Sequence, residues 1–585
     1  MESLYLAKNI ISSENNKGVL PVQDEDMLTL EEFVKLPDTA DFQLVLTDQL
    51  AEKVRNIPYI HIGEKFANGY TILYANEKYM PQIFSQFGGD YLMLSPKVLS
   101  PVDSFSNESA GITQVLGQPF LDITGQGVVV GIIDTGIDYT QNAFRFEDGS
   151  TKILSLWDQT LDGSRSGVYF GTTFDKEQIN SALRSERPLD AIPSIDEDGH
   201  GTFLASVAAG RSDDRYSGAA PSAELICVKL RRARDYYIRR YLLDSDTPTL
   251  YESTDFMLGI KYVLETADRM NRPAVICIGM GSNTSAHDGN TYMEDYISFV
   301  TRRSGYVFVT AAGNEANARH HTIGRLTEDS KEGIDIKVGR QGASFGVLTV
   351  LPAFDRISVG VTSPTGETVF RRPFSPGQDL RQKLILSDTT IHMRFSRDTN
   401  NTIWVGFENP SEGIWEITLY GDHIIDGTYQ AWLPITGQVD PTVEFLSPSP
   451  DYTVVYPSAA ARAIICGAYN SFDNSLLISS SRGPTRQPRL APDITAPGAM
   501  IGGYFPEGSG TMTGTSAAAA VCTGAAALLL EWGVVQGELP DLNGDLLRSL
   551  LIGGAVREQG LEYPNNKWGY GKINLYRTFE YLAML

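Results

Sequence analysis

Short, almost wholly apolar runs recur through this chain: VVVGII (128–133), ELICVKL (224–230), AVICIG (274–279), YVFVTAA (306–312) and ARAIICGA (461–468). Helical stretches near 201–209, 253–270, 290–304, 516–531 and 543–551 are interspersed with them. A strand that is apolar on both sides has to be covered on both sides, the condition of a parallel sheet layered between helices. The alternation implies right-handed crossovers, and groups at the C-terminal ends of such strands converge on one edge. The expected class is therefore α/β. At 585 residues the chain exceeds one ordinary core, so two to four domains are expected.

Two regions depart from the alternation. FQLVLT (42–47), PYIHIG (58–63), GYTILYA (69–75) and DYLMLS (90–95) read as short strands around helical stretches near 48–56 and 76–86, a small α+β unit. The polar run from Ser100 to Asn107 after it reads as an exposed linker, the composition at which cleavage falls. Residues 334–434 are almost free of helical pattern. Their runs IDIKV, GVLTVL, ISVGVT, KLILS, IHMRFS, TIWVGFEN, WEITLYG and YQAWLP alternate between Gly, Pro, Asn and Asp breaks, as in a β-sandwich or jelly roll. Trp404, Trp415 and Trp432 stand among β-branched neighbours there, which favours core packing over carbohydrate binding.

Four glycine-bearing segments carry the chemistry: GVVVGIIDTGID (127–138), EDGHGT (197–202), VFVTAAGNE (307–315) and GTSAAAA (514–520). A serine hydroxyl is a poor nucleophile at neutral pH, so Ser516 needs a base, and His200 is the candidate. Asp134 ends an apolar run and can deliver a carboxylate that fixes the imidazole tautomer and stabilises the imidazolium. Asn314 ends another such run, and its amide can donate to a developing oxyanion together with the Ser516 backbone N–H. Ser516 opens an Ala/Leu-rich stretch to Leu530 that reads as a helix, whose N-terminal dipole favours negative charge there. Its apolar part is about 14 residues against the ~20 a bilayer requires, so a buried helix is expected and no membrane span.

The order Asp134, His200, Ser516 and the four segments resemble the subtilisin-like serine proteases, and more narrowly the Csp proteases of clostridial spore germination. The resemblance implies a subtilisin-like sheet, an N-terminal prodomain over 1–103, a catalytic domain split into 104–333 and 446–585, and an inserted jelly-roll-like domain over 334–445. It implies a serine endopeptidase that cuts itself between about Leu94 and Ser109 and then activates a protein substrate, the precursor of a spore-cortex lytic enzyme. Gly279, Met280, Gly281 and Ser282 with Ala311, Ala312 and Gly313 would line the first specificity pocket, their backbone pairing with an extended substrate. The alternative is a catalytically silent pseudoprotease acting as sensor or scaffold. The segment GRSDDRYSGAAP (210–221) lacks the loop that binds structural calcium in secreted relatives, so neither metal nor cofactor is expected.

Charge and cysteine content narrow the partners. A net charge of −23 argues against nucleic-acid or anionic-membrane binding, and the resemblance implies the chain's own prodomain and a protein substrate as partners. Cys227, Cys277, Cys466 and Cys522 all lie in apolar contexts, as buried free thiols do. MESLYLAKNIISSENN has no adequate apolar h-region, so synthesis in the cytoplasm is expected, and the resemblance implies residence in the spore. Arg231, Arg232, Arg234, Arg239 and Arg240 read either as a solvated loop or as a docking patch for an acidic partner or prodomain. His320 and His321 lack a third ligand at metal-binding spacing and read as surface loop residues.

Overall fold

The apolar runs assemble into one eight-stranded sheet in a computed structural model that describes residues 28–87, 94–101, 107–163, 167–212, 216–244 and 246–584. From one edge the order is Ile494–Pro497, Ile464–Tyr469, Tyr306–Ala311, Ala274–Ile278, Val129–Asp134, Glu224–Lys229, Ile153–Asp158 and Thr172–Asp175. Neighbours are parallel except for the last strand, which runs antiparallel at the edge. The seven parallel strands are buried along their length, as unbroken apolar runs require.

Helix Thr515–Leu530, every residue of it buried, shares one core with His200–Ala209 on one face of the sheet. Helix Ser253–Arg269 packs its apolar stripe on the other face. Together with the turn that follows, Thr515–Val535 is long and apolar enough to cross a membrane by length and composition, and 83% of that apolar window is buried in the protein. All four cysteines are buried free thiols.

The N-terminal region forms a three-stranded antiparallel sheet, ordered Thr39–Val45, Tyr70–Asn76, His61–Lys65, with helices Asp48–Arg55 and Met80–Gln86. The fourth strand expected at 90–95 lies largely outside the described residues. The linker expected from Ser100 begins differently: Val98–Pro101 is a strand paired on both sides with the α/β unit, and 102–106 lie outside the described residues.

Between Asn314 and Ser516 the chain builds two antiparallel sheets, of six and five strands, that share one apolar core. Their first strand is His321–Arg325, ahead of residue 334. Trp404, Trp415 and Trp432 are all buried. KLILS is a correction: the strand there is Asp379–Leu384, and Ile385 and Leu386 turn out into solvent at 76% and 73% exposure, so the apolar run misled. His320 and His321 are corrected too. Both are buried; His320 Nδ1 lies 2.7 Å from Glu315 Oε2, and His321 packs its ring on Trp432.

The arginine segment is where the three regions meet. Tyr237, Ile238 and Tyr241 of helix Asp235–Tyr241 share a core with Phe42, Leu73 and Ile83 of the N-terminal unit and Leu348, Trp404 and Trp432 of the insertion. Arg234 reaches Asp41 and Glu252, Arg231 holds Asp255 at 2.7 Å and the Val34 carbonyl at 3.3 Å, Arg239 pairs with Glu77 and Arg240 with Asp379. Of the two readings, the docking patch describes these contacts, and Arg232 pairs with Asp235 nearby.

Candidate active site

Asp134 is the last residue of the strand Val129–Asp134, and His200 opens the helix His200–Ala209. The two side chains are about 1% exposed, with His200 Nδ1 2.7 Å from Asp134 Oδ1, which also accepts the Thr135 N–H at 2.8 Å. Local sequence dictates the approach. Gly199 supplies the left-handed turn before the helix at φ 88°, and a Cβ on Gly201 would fall 2.2 Å from the Gly136 carbonyl oxygen and 2.9 Å from the Asp134 Cβ. Asp196 then clamps the helix start, accepting from Gly199 N, Thr202 N and Thr202 Oγ1. Asp196 stands one residue ahead of the segment EDGHGT and was not singled out in the sequence.

Ser516 lies in the first turn of the helix Thr515–Leu530 and is fully buried; its hydroxyl donates to the Gly279 carbonyl at 2.8 Å. A Cβ on Gly279 would stand 3.1 Å from His200 Cε1 and 3.3 Å from Ser516 Cβ, so the imidazole and the serine flank one point. Asn314 Oδ1 accepts the Thr515 N–H at 3.1 Å, and Thr515 Oγ1 accepts the Gly313 N–H at 3.0 Å, which ties the asparagine to the serine's turn. Holding Oδ1 this way leaves the Nδ2 end of the amide as a donor beside Ser516. All four residues singled out for chemistry are thus gathered at the C-terminal edge of the parallel sheet.

The expected pocket walls are also adjacent, but a residue not foreseen lies between them. Val455 Cγ2 would be 2.4 Å from a Cβ on Gly281, and Val455 Cγ1 2.6 Å from one on Gly313. Ser282 and Tyr456 exchange backbone hydrogen bonds at 3.0 and 2.9 Å, and Val455 N donates to the Ala312 carbonyl at 3.0 Å. Both glycines therefore make room for Val455. Met280 and Ala311 are buried strand residues to either side. A cavity of about 470 Å³ opens there, lined by Gly313, Asn314, Glu315, Thr436, Val455 and Thr513 among others. Glu315 in its wall accepts the Thr436 N–H at 3.0 Å, so the insertion helps to shape it. No local pattern in the sequence marks Val455 or Thr436; only contacts across more than a hundred residues bring them here.

A third feature crosses the site. Val98–Pro101 forms the middle strand of a three-stranded sheet, antiparallel to Met280–Gly281 on one side and to Tyr251–Glu252 on the other. Pro101 stands opposite Met280 and Ser100 opposite Gly281.

Comparison with known proteins agrees with this geometry. The model of the subtilase family, Peptidase S8, matches residues 125–432 and 436–571. A solved structure of the Clostridium perfringens CspB protease superposes with a TM-score of 0.73 at 31% identity, covering 82% of this chain and 97% of that one. The PII-type proteinase of Lacticaseibacillus paracasei is 29% identical over 295 residues, 48% of this chain and 14% of the proteinase. Serine protease AprX of Bacillus subtilis is 30% identical over 148 residues, 21% of this chain and 30% of AprX. The chain thus spans well under half the length of these two curated relatives.

Proposed function

The chain belongs to the subtilase family, and from that premise we propose that it is a serine endopeptidase working through an acyl-enzyme, with Ser516 as nucleophile. The observation that carries this reading is the convergence of Asp134, His200 and Ser516 around Gly279. Rotation about the Ser516 Cα–Cβ bond takes the hydroxyl from the Gly279 carbonyl to the imidazole. As Oγ attacks the scissile carbonyl, its proton passes to His200 Nε2, and Asp134 stabilises the imidazolium through Nδ1. The oxyanion is met by the Ser516 N–H and the Asn314 amide. His200 then protonates the leaving amine, and water repeats the sequence on the ester. Gly279 to Ser282 and Ala311 to Gly313 bind the substrate strand beside Val455.

The N-terminal unit acts as a prodomain whose tail is the first substrate, and the inserted sheets form a jelly-roll-like module. Val98–Pro101 supports this, because it occupies the position of an added strand beside the pocket wall. The cut is expected between about Leu94 and Ser109. The likeness to a CspB protease points to a protein substrate of spore germination, a cortex-lytic enzyme precursor, and to residence in the spore. Purified chain should label with a fluorophosphonate at Ser516 and yield a fragment whose N-terminal sequence begins between about Leu94 and Ser109, while Ser516→Ala stays one full-length species. A processed alanine variant made in a host without this protease, or an unlabelled Ser516, would refute the reading and leave the pseudoprotease.

A further inference from the structure

Lys97 lies just before the tail strand, four residues upstream of Pro101, yet is only 5% exposed. Its backbone is clamped from both sides by Ser253: the Lys97 N–H donates to Ser253 Oγ at 2.8 Å, and the Lys97 carbonyl accepts the Ser253 N–H at 2.7 Å. The residue lines a small recess together with Asp288 and Thr291 of the α/β unit and Leu348, Asp398 and Thr402 of the insertion. A buried ammonium is retained only where acidic or polar groups replace its water. Those groups are present. Asp288 is 8% exposed, with Oδ2 held by Asn400 Nδ2 at 2.9 Å and Oδ1 by the Asn290 N–H at 3.2 Å. Glu294 lies behind Thr291; burial pushes its carboxyl up to about 8, while the Thr291 hydroxyl bond and the charge of Lys97 pull the other way. Arg486, 3.1 Å from Asn400 Oδ1, feels Asp288, Asp398 and Asp426, and the first two of these carboxyl groups line the recess with Lys97.

We propose that this recess is a substrate subsite, built jointly by the catalytic unit and the insertion, that selects a lysine or arginine side chain upstream of the scissile bond. The proposal rests on the peptidase reading. Any segment that replaces the tail in the same antiparallel register brings its side chain at the Lys97 step to the same carboxylates, the main chain giving affinity and the recess giving selectivity. The insertion thereby acts on substrate choice through Asp398 and Thr402, at a distance from Ser516.

The test uses the processed, full-length protein and fluorogenic decapeptides with the sequence of residues 95–104, carrying Lys, Arg, Ala or Glu at the Lys97 position. Lys and Arg peptides should be cut within about threefold of each other, Ala about tenfold less efficiently and Glu about a hundredfold less, the loss lying mostly in KM. Asp398→Asn, an exposed position, and Asp288→Asn should each narrow the Lys-to-Ala gap. Where the tail blocks turnover, the same ranking should appear as protection of Ser516 from the fluorophosphonate. Equal rates or equal protection for all four peptides overturn the subsite and leave the peptidase standing. Absence of both cleavage and labelling defeats the peptidase reading, and the subsite falls with it.

Discussion

Lys152 shows how one buried side chain can join the two ends of a loop. It is fully buried, and its ammonium donates to the Ala209 carbonyl and, at 2.5 Å, to the Pro221 carbonyl, joining the two ends of the segment after the His200 helix. Burial pushes its pKa down to about 7, against the pull of Glu224. An unfolded chain holds that proton up to the ordinary lysine value near 10.5, so between pH 7 and 10.5 the unfolded state binds more protons and this group's contribution to stability rises with pH. Lys152→Met should remove that rise, which amounts to about 1.4 kcal/mol per pH unit of separation. Parallel denaturant titrations of parent and variant at pH 7 and pH 9.5 check it: the difference between the two proteins should change with pH, and a constant difference would mean the lysine is not titrating in the fold. The motif histidine and serine were legible because glycines mark them; Lys152 was not, because the two carbonyls it joins come from segments that only the folded chain brings together.

Among the elements, the strand Thr428–Trp432 links the insertion to the catalytic unit through a ring stack. Trp432 lies 4.3 Å from the His287 ring at an interplanar angle of 11°, and 5.0 Å from His321. Burial lowers His287 to about 4 and, with the charge of His287 added, His321 to about 3. Both are neutral in the fold. Below pH 6.5 the unfolded chain takes up protons that the fold refuses, so the stack loses stability as pH falls from 6.5 toward 4. The joint between insertion and catalytic unit should therefore be the first to open in acid, seen as faster limited proteolysis in the insertion at pH 5 than at pH 7. His321→Phe should flatten that dependence by the order of a few kcal/mol. The alternating pattern of the insertion's sequence located most of its strands, and failed at Ile385 and Leu386, where an apolar run sits in an exposed turn. Apolarity locates a strand only if tertiary packing then covers it.

At the scale of the molecule, a buried charge cluster joins the N-terminal unit to the catalytic one. Arg234 meets Asp41 from the first strand and Glu252 from the strand that pairs with the tail. Burial pushes Asp41 up, but the Arg234 guanidinium, hydrogen bonds from Glu252 and Thr254 and the charge of Arg231 together hold its carboxyl below the usual range; burial and the charge of Asp41 hold Glu252 far above it, despite Arg234. The two carboxyl groups thus share one proton beside the guanidinium. Arg234→Met would strand them without a cation, a loss of about 3–5 kcal/mol of the kind found when one partner of a buried pair is removed. In the Ser516→Ala background, which stays intact, the variant should melt lower and release its first hundred residues to trypsin sooner; unchanged melting would show that the cluster does not hold the units together.

The sequence by itself determined the parallel sheet and the burial of the helix that Ser516 opens, and it singled out Asp134, His200, Ser516 and Asn314, which the fold gathers at one edge, since each depends on residues a few positions apart: an apolar run, a glycine turn, an alanine-rich stretch. Tertiary structure alone decided that Val455 stands between Gly281 and Gly313, that the arginine segment docks the N-terminal unit, and that Lys97 enters a recess walled by the insertion. The reason is physical. Periodicity and backbone conformation are encoded by neighbours in the chain, whereas a pocket is the space left between segments that meet only after the chain has closed loops of a hundred residues or more.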